Sequence, residues 1–502
     1  MILYSFKNLE QLTRATSNNA YVSAVPQLDF KPTDGNRAAV RFRGLRNATI
    51  DGAGATLRLD GRGYYFVLEG CERVLLTNFN LETIHPEYLE FTVTNSGFGG
   101  SADVRFGGEY AVSEGSPLSV KSGEHELIAP MAKPAVYCRD LSADKIRRES
   151  SDPLTKLKGA SKFSSSGGSA TAKLSFSGFT SPVKKDCVYI RFDADKTCPG
   201  ILLINCKDIT IRNVTIRYCH GSAIKADMCE NVTVQDVTLR AQTGRSVATL
   251  GSAFEAVECN GSLYISDCLL AATLADTVSV KGALYDVASA SGSSLTLRSS
   301  DATALAPFEK GDKAILSDGT LAPVATLTVS GYDRDSRTVT FEEALPQNAA
   351  SMRVENASLH TADVFFRRAT LYGSPDNGLA FSTSGFVRAD YCTFKNIVGK
   401  SVVCMSGRNG NAGLPKRVEI EANRFEQCLD TAVELLPSCS GKAALGSVDI
   451  YGNTWMECER SAIAAARCSS ISVKRNVGDT DKYQTKISQC PKVDSDGVEY
   501  MY

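Results

Sequence analysis

Carboxylates and ammonium groups recur at matching strand positions in this chain. The segments Ser222-Ala-Ile-Lys-Ala226, Ser252-Ala-Phe-Glu-Ala256 and Asp276-Thr-Val-Ser-Val280 are apolar at their third and fifth residues. With a side-chain period of two, those positions face a core, and the second and fourth face away. The outward fourth position holds Lys225, Glu255 and Ser279. The strand edge holds Ser222, Ser252 and Asp276, and Asn377 in a later segment. On adjacent rungs, roughly 4.8 Å apart, Glu255 and Asp276 form a candidate acid–base pair. Lys225 and the nearby Lys281 would hold one carboxylate ionised while partial burial raises the other. The expected catalytic residues are therefore Asp276 and Glu255. Ser252, Lys225, Lys281, Ser279 and Asn377 are expected to bind the ligand. The plainer alternative is a set of solvated cross-strand ion pairs, since such charges also serve structure alone.

A repeat supplies the scaffold. Cys206-Lys-Asp-Ile-Thr-Ile-Arg-Asn-Val-Thr-Ile-Arg217 returns as Cys229-Glu-Asn-Val-Thr-Val-Gln-Asp-Val-Thr-Leu-Arg240. Further copies begin at Cys71 and Cys259, and looser ones lead to Asn423, Asn453 and Asn476. Each copy is a short strand, a polar corner and a second short strand. A single unit cannot bury its apolar face, but stacked units can. The period predicts an all-β chain, a right-handed parallel β-helix. Two stretches break the pattern with Gly-, Asp- and Ser-punctuated strands, and read as inserted small β-barrel or hairpin subdomains. The expected organisation is N-terminal coils over 1–84, an insert over 85–195, central coils over 196–285, a second insert over 286–355, and C-terminal coils and tail over 356–502.

The 502 residues carry 55 basic and 56 acidic side chains, for a net charge of −1. With no block of Lys and Arg, a nucleic-acid partner is not expected. No apolar run is long enough for a membrane span. The opening Met1-Ile-Leu-Tyr-Ser-Phe shows no signal-peptide pattern, and a periplasmic or secreted location stays open. The 16 cysteines include no Cys-x-x-Cys pair, and those at the repeat position read as small buried hydrophobes rather than disulfides or metal ligands. No metal and no cofactor is expected.

The stretch Thr249-Leu-Gly-Ser-Ala-Phe-Glu-Ala-Val-Glu-Cys-Asn-Gly261, followed by Leu274-Ala-Asp-Thr-Val-Ser-Val-Lys-Gly282, resembles glycoside hydrolase family 110. The order of coils and inserts is also similar. The resemblance implies an inverting α-galactosidase acting on terminal α-1,3-linked galactose, with an oligosaccharide or glycan as substrate. The motif is diverged. Its first Asp falls on Ser252, the first of its Asp pair on Ala275, and its two His on Glu255 and Lys281. Only Asp276 is retained. Inverting hydrolysis places two carboxyls about 6.5–9.5 Å apart to admit a water, a separation that Glu255 and Asp276 can reach. Loss of two motif carboxylates also fits a catalytically inactive glycan-binding homologue, and a polysaccharide lyase is a third reading. For stacking on a sugar, Tyr218, Tyr285 and Tyr372 are the candidates, because the chain has one Trp.

Overall fold

The computed structural model describes residues 4–5, 20–21 and 27–500, apart from 34, 98, 108–109, 114–117, 130, 167–168, 299–306, 409, 439–444 and 482. Among the described residues every regular element is a β-strand except three short 3-10 turns, at Pro153–Lys156, Ala194–Lys196 and Ala349–Ser351. The strands stack in parallel, rung on rung, as a β-helix.

One ladder runs Ala38–Arg43, Tyr64–Glu69, Ile201–Ile204, Ile224–Asp227 and Phe254–Val257, and continues through Val278, Leu379–Phe381, Val402–Cys404, Val433–Leu435 and Ile463–Ala466. Its register places Ile224, Phe254, Val278, Leu379 and Val433 in one column, and each is at most 1% exposed. Val402 occupies a rung between Leu379 and Val433 that the sequence pattern had not marked. Two further ladders carry the repeat phrase. Lys207–Ile216 pairs below with Glu72–Thr83 and above with both Glu230–Gln235 and Thr238–Leu239. The corner inside each phrase turns on a left-handed residue: Asn213, Asp236 and Asp267 have φ of 51°, 52° and 57°. Asn and Asp tolerate that conformation better than other side-chain-bearing residues, which explains the polar corner.

The interior is organised in columns of like residues. Cys71, Cys206, Cys229 and Cys259 are buried free thiols at equivalent corners. Phe394 stacks on Phe425 and Phe425 on Trp455, each at 5.1 Å between ring centres. Asn423, Asn453 and Asn476 form a buried amide ladder. Asn423 Nδ2 donates to Asn453 Oδ1 at 3.1 Å, and Asn453 Nδ2 to Asn476 Oδ1 at 3.0 Å.

Two bodies leave this column. The first is a seven-stranded antiparallel sheet running between Leu89–Gly97 and Cys187–Asp193 in chain order, with its own core around Phe91, Val104, Leu174 and Tyr189. The coil resumes afterwards, so Phe66 pairs with Ile201, 135 residues later in the chain. The second grows directly out of Val278–Ser291. That strand pairs with Ser294–Leu297, then the ladder passes to Thr338–Phe341, Pro323–Asp333, Lys313–Ser317 and Arg353–Asn356, and back to the first strand. The ring closes into a six-stranded barrel filled by Val287, Leu295, Leu316, Val329, Val339 and Val354.

Candidate active site

The first ladder sets the positions of the charged groups. Its register puts Lys225 beside Glu255 and Glu255 beside Ser279, with Val257 beside Lys281. The backbone ladder continues past the strand ends: Ala253 N–H donates to Thr277 O at 2.9 Å, and Thr277 N–H to Asn377 O at 2.8 Å. Ser252, Asp276 and Asn377 therefore lie at the edges of successive rungs.

Glu255 is the most heavily partnered carboxylate of the group. Ser222 Oγ donates to its Oε2 at 2.7 Å, and Lys281 Nζ pairs with Oε1 at 3.1 Å. Burial pushes its acidity toward the neutral form, but Lys281, Lys225 and Ser222 together outweigh burial and hold it below the usual glutamate value. Lys225 also pairs with Asp227 at 3.3 Å.

Asp276 is half-buried and differs in sign. Burial raises it, and the Glu255 charge adds to the rise. The Asn377 amide and backbone N–H, donating to Oδ1 at 2.8 and 3.1 Å, and Lys281 offset this only in part. Its Oδ2 has no hydrogen bond among the described residues. The neighbouring Asp376 was not singled out by sequence. Surrounding protein and the Asp276 charge raise it to about 6, against the opposing pull of Arg148. Asp376 is exposed, so water screens part of the charge it feels. Arg148 and Tyr137, both from the seven-stranded sheet, come close enough to Asp376 for their charges to act on one another. Asp376 sits one residue before the strand-edge Asn377, outside the aligned positions, and the alternation gave no sign of this. Its partner Asp276 is 100 residues earlier, and only the detour through the barrel makes the two coils adjacent.

Other expected contacts fall elsewhere. Ser252 and Ser279 are 5% and 2% exposed, so neither presents an open surface to a ligand, although Ser279 points away from the helix interior. Packing over the outer face at Ser279, Ala380 and Val403 closes what the alternation alone had left open. Tyr218 is fully buried and stacks on Tyr88 at 5.0 Å. Tyr285 lies in the barrel core against Phe308. Neither ring can meet a sugar. Tyr372 is half-buried and its hydroxyl is bonded to Asp144.

No family model matches the chain. The alpha-1,3-galactosidase A of Akkermansia muciniphila is 23% identical over 485 residues, covering 91% of this chain and 78% of that protein. The resemblance to glycoside hydrolase family 110 holds. The alpha-1,3-galactosidase A of Bacteroides thetaiotaomicron is 36% identical over 89 residues, which is 17% of this chain and 16% of that one. A solved structure titled a glycoside hydrolase aligns over 95% of this chain and 89% of its own, at 8% identity and a TM-score of 0.23, an overlap too loose to argue from.

Proposed function

We propose that the chain is an inverting glycoside hydrolase that removes a terminal α-galactoside or a closely related sugar from a glycan. The observation that carries this reading is the contrast between neighbouring carboxyls. Glu255 is held ionised by two lysines and a serine, while Asp276 and Asp376 are pushed toward the protonated form. Pairs of carboxyls whose environments drive their acidities apart are how one site runs acid and base chemistry together. In this assignment Glu255 takes a proton from the attacking water. The Asp276–Asp376 pair, sharing one proton, donates it to the leaving oxygen as the glycosidic bond breaks. The apparent acidity belongs to that pair rather than to either member. Asn377 orients Asp276 through Oδ1 and leaves Oδ2 for the substrate. The names of the curated relatives support the galactoside as the substrate class.

The test is turnover of an aryl α-galactoside and of galactose-capped oligosaccharides. Asp276→Asn should lower kcat by about 10²-fold or more, the scale of lost acid–base assistance, with binding largely kept. A near-normal rate in that variant rejects the assignment. A second reading, a glycan-binding protein without turnover, is favoured by Ser252 and Ala275 at the two lost motif carboxylates. It takes over if the wild-type protein binds galactosides and hydrolyses none.

A further inference from the structure

One face of the seven-stranded sheet carries Tyr137, Ile146, Ile190 and Phe192, and buries them against Leu250 and Leu274 of the coils. Leu250 and Leu274 each stand two residues ahead of a strand-edge group, Ser252 and Asp276. The sheet therefore abuts the rim of the candidate site. Its hairpin of Pro134–Asp140 and Lys145–Arg148 is fastened to later coils through the turn. Asp144 accepts from the Tyr372 hydroxyl and, at 2.5 Å, from Arg139 Nη2. Lys145 Nζ donates to Glu459 Oε1 at 2.6 Å. Tyr372 lies four residues before Asp376. The cleft left along this seam measures about 20 Å³, room for roughly one water, so the hairpin is seated closely on the coils.

Arg148 stands on the face that covers the coils. It is the direct cross-strand partner of Tyr137 and lies two residues past Ile146, so all three side chains leave the sheet on the same side. Arg139, on that side too, is committed to Asp144, and Lys225 and Lys281 are committed to Asp227 and Glu255. Arg148 is exposed and makes no hydrogen bond or ion pair with any described residue. Successive rungs carry Glu255, Asp276 and then Asp376, and the Arg148 charge is felt at the last of these. The free guanidinium thus stands at the Asp376 end of the row.

In inverting hydrolysis the base and the acid attend opposite faces of the cleaved sugar, and the leaving group departs on the acid's side. With Glu255 as base and the Asp276–Asp376 pair as acid, the leaving sugar lies beyond Asp376, against the hairpin. A guanidinium offers five N–H donors in a planar fork, which suits the paired oxygens of neighbouring sugar hydroxyls. We propose that Arg148 is a specificity residue on the leaving side, a donor supplied by the first insert that holds the sugar to which the terminal galactose is joined. The inference rests on the hydrolase reading above and on its assignment of acid and base.

The experiment is calorimetric titration of the full Asp276→Asn chain, with and without Arg148→Ala, by methyl α-galactoside and by an α-1,3-linked galactose disaccharide. The disaccharide should bind about tenfold more tightly than the methyl galactoside, the scale of a charge-assisted hydrogen bond. Arg148→Ala should bring the two affinities within about twofold, and Arg148→Lys should restore part of the gap, because the charge returns without the planar fork. Tm should not fall in either variant, since the side chain has no partner to lose, and this separates the effect from damage to the fold. In the active chain, Arg148→Ala should lower kcat/KM for the disaccharide by about tenfold relative to that for an aryl galactoside. A preference for the disaccharide that survives Arg148→Ala, or no such preference in the parent chain, overturns the inference. If the wild-type chain hydrolyses neither substrate while the preference is present and lost with Arg148, the hydrolase reading falls and the contact from Arg148 stands.

Discussion

Asp276 shows how a candidate site sets its own stability. Its pKa is raised in the folded chain, so the charged form is disfavoured there relative to the unfolded chain. The sign follows from linkage. The raised group favours folding below its unfolded value, and that advantage is lost as pH rises through the folded value. At neutral pH Asp276 is therefore a liability that Asn would relieve. Asp276→Asn should raise Tm at pH 7, and the gain over wild type should disappear below the ordinary carboxylate range, where both folded and unfolded Asp276 carry the proton. Thermal scans at pH 7 and pH 3 check this, and a variant destabilised at pH 7 contradicts it. Glu255 has the opposite sign: its lowered pKa contributes stability that is lost as pH falls through its folded value. Turnover should accordingly have an acidic optimum. The acid limb lies at the depressed Glu255, and the rate falls as pH climbs past about 6, where the Asp276–Asp376 pair loses its shared proton. In Asp376→Asn the alkaline limb should move, and an unchanged kcat/KM profile would remove Asp376 from the acid pair.

At the scale of elements, the amide ladder is the sharpest case. Asn453 is fully buried, donates to Ile420 O at 2.8 Å, and accepts from Asn423 N–H at 2.9 Å. Asn453→Ala strands these groups in an interior without water. A cost of about 3 kcal/mol is expected, the scale for unsatisfied buried polar groups, read from urea midpoints. A loss below about 1 kcal/mol would mean that the neighbouring coils close around the gap. These columns were legible in the sequence because each rung repeats its residue type in phase. Ile224, Phe254 and Val278 could be aligned by period alone. The rung at Val402–Cys404 was not legible, because its outward residue Val403 is itself apolar and buried, which erases the alternation. Ser279 misled for the same reason: period two tells which way a side chain points, and says nothing of what lies over it. Asp376 and the buried pair of His360 with Glu258 were illegible because their partners come from segments about 100 residues away, brought together only by stacking.

For the whole molecule, a stack in which each rung touches only its neighbours makes stability a sum of local terms. The 15 cysteines described are all free, and all but Cys458 and Cys490 are buried, Cys138 and Cys187 in the seven-stranded sheet and the others along that stack. Burial pushes several of them up to about 12, including Cys198, Cys219 and Cys268. Thiol reagents act on the thiolate, so the native chain should react slowly, and denaturant should release a count near the full 16. Rapid native titration of most thiols would show that the coils open locally under folded conditions.

The stacked rings place the single tryptophan, Trp455, at zero exposure on a C-terminal rung. Its fluorescence should emit at short wavelength and report melting of those last coils alone, while circular dichroism averages every strand from Gln27 onward. The gap between the two melting curves then measures how many rungs unfold as one cooperative block.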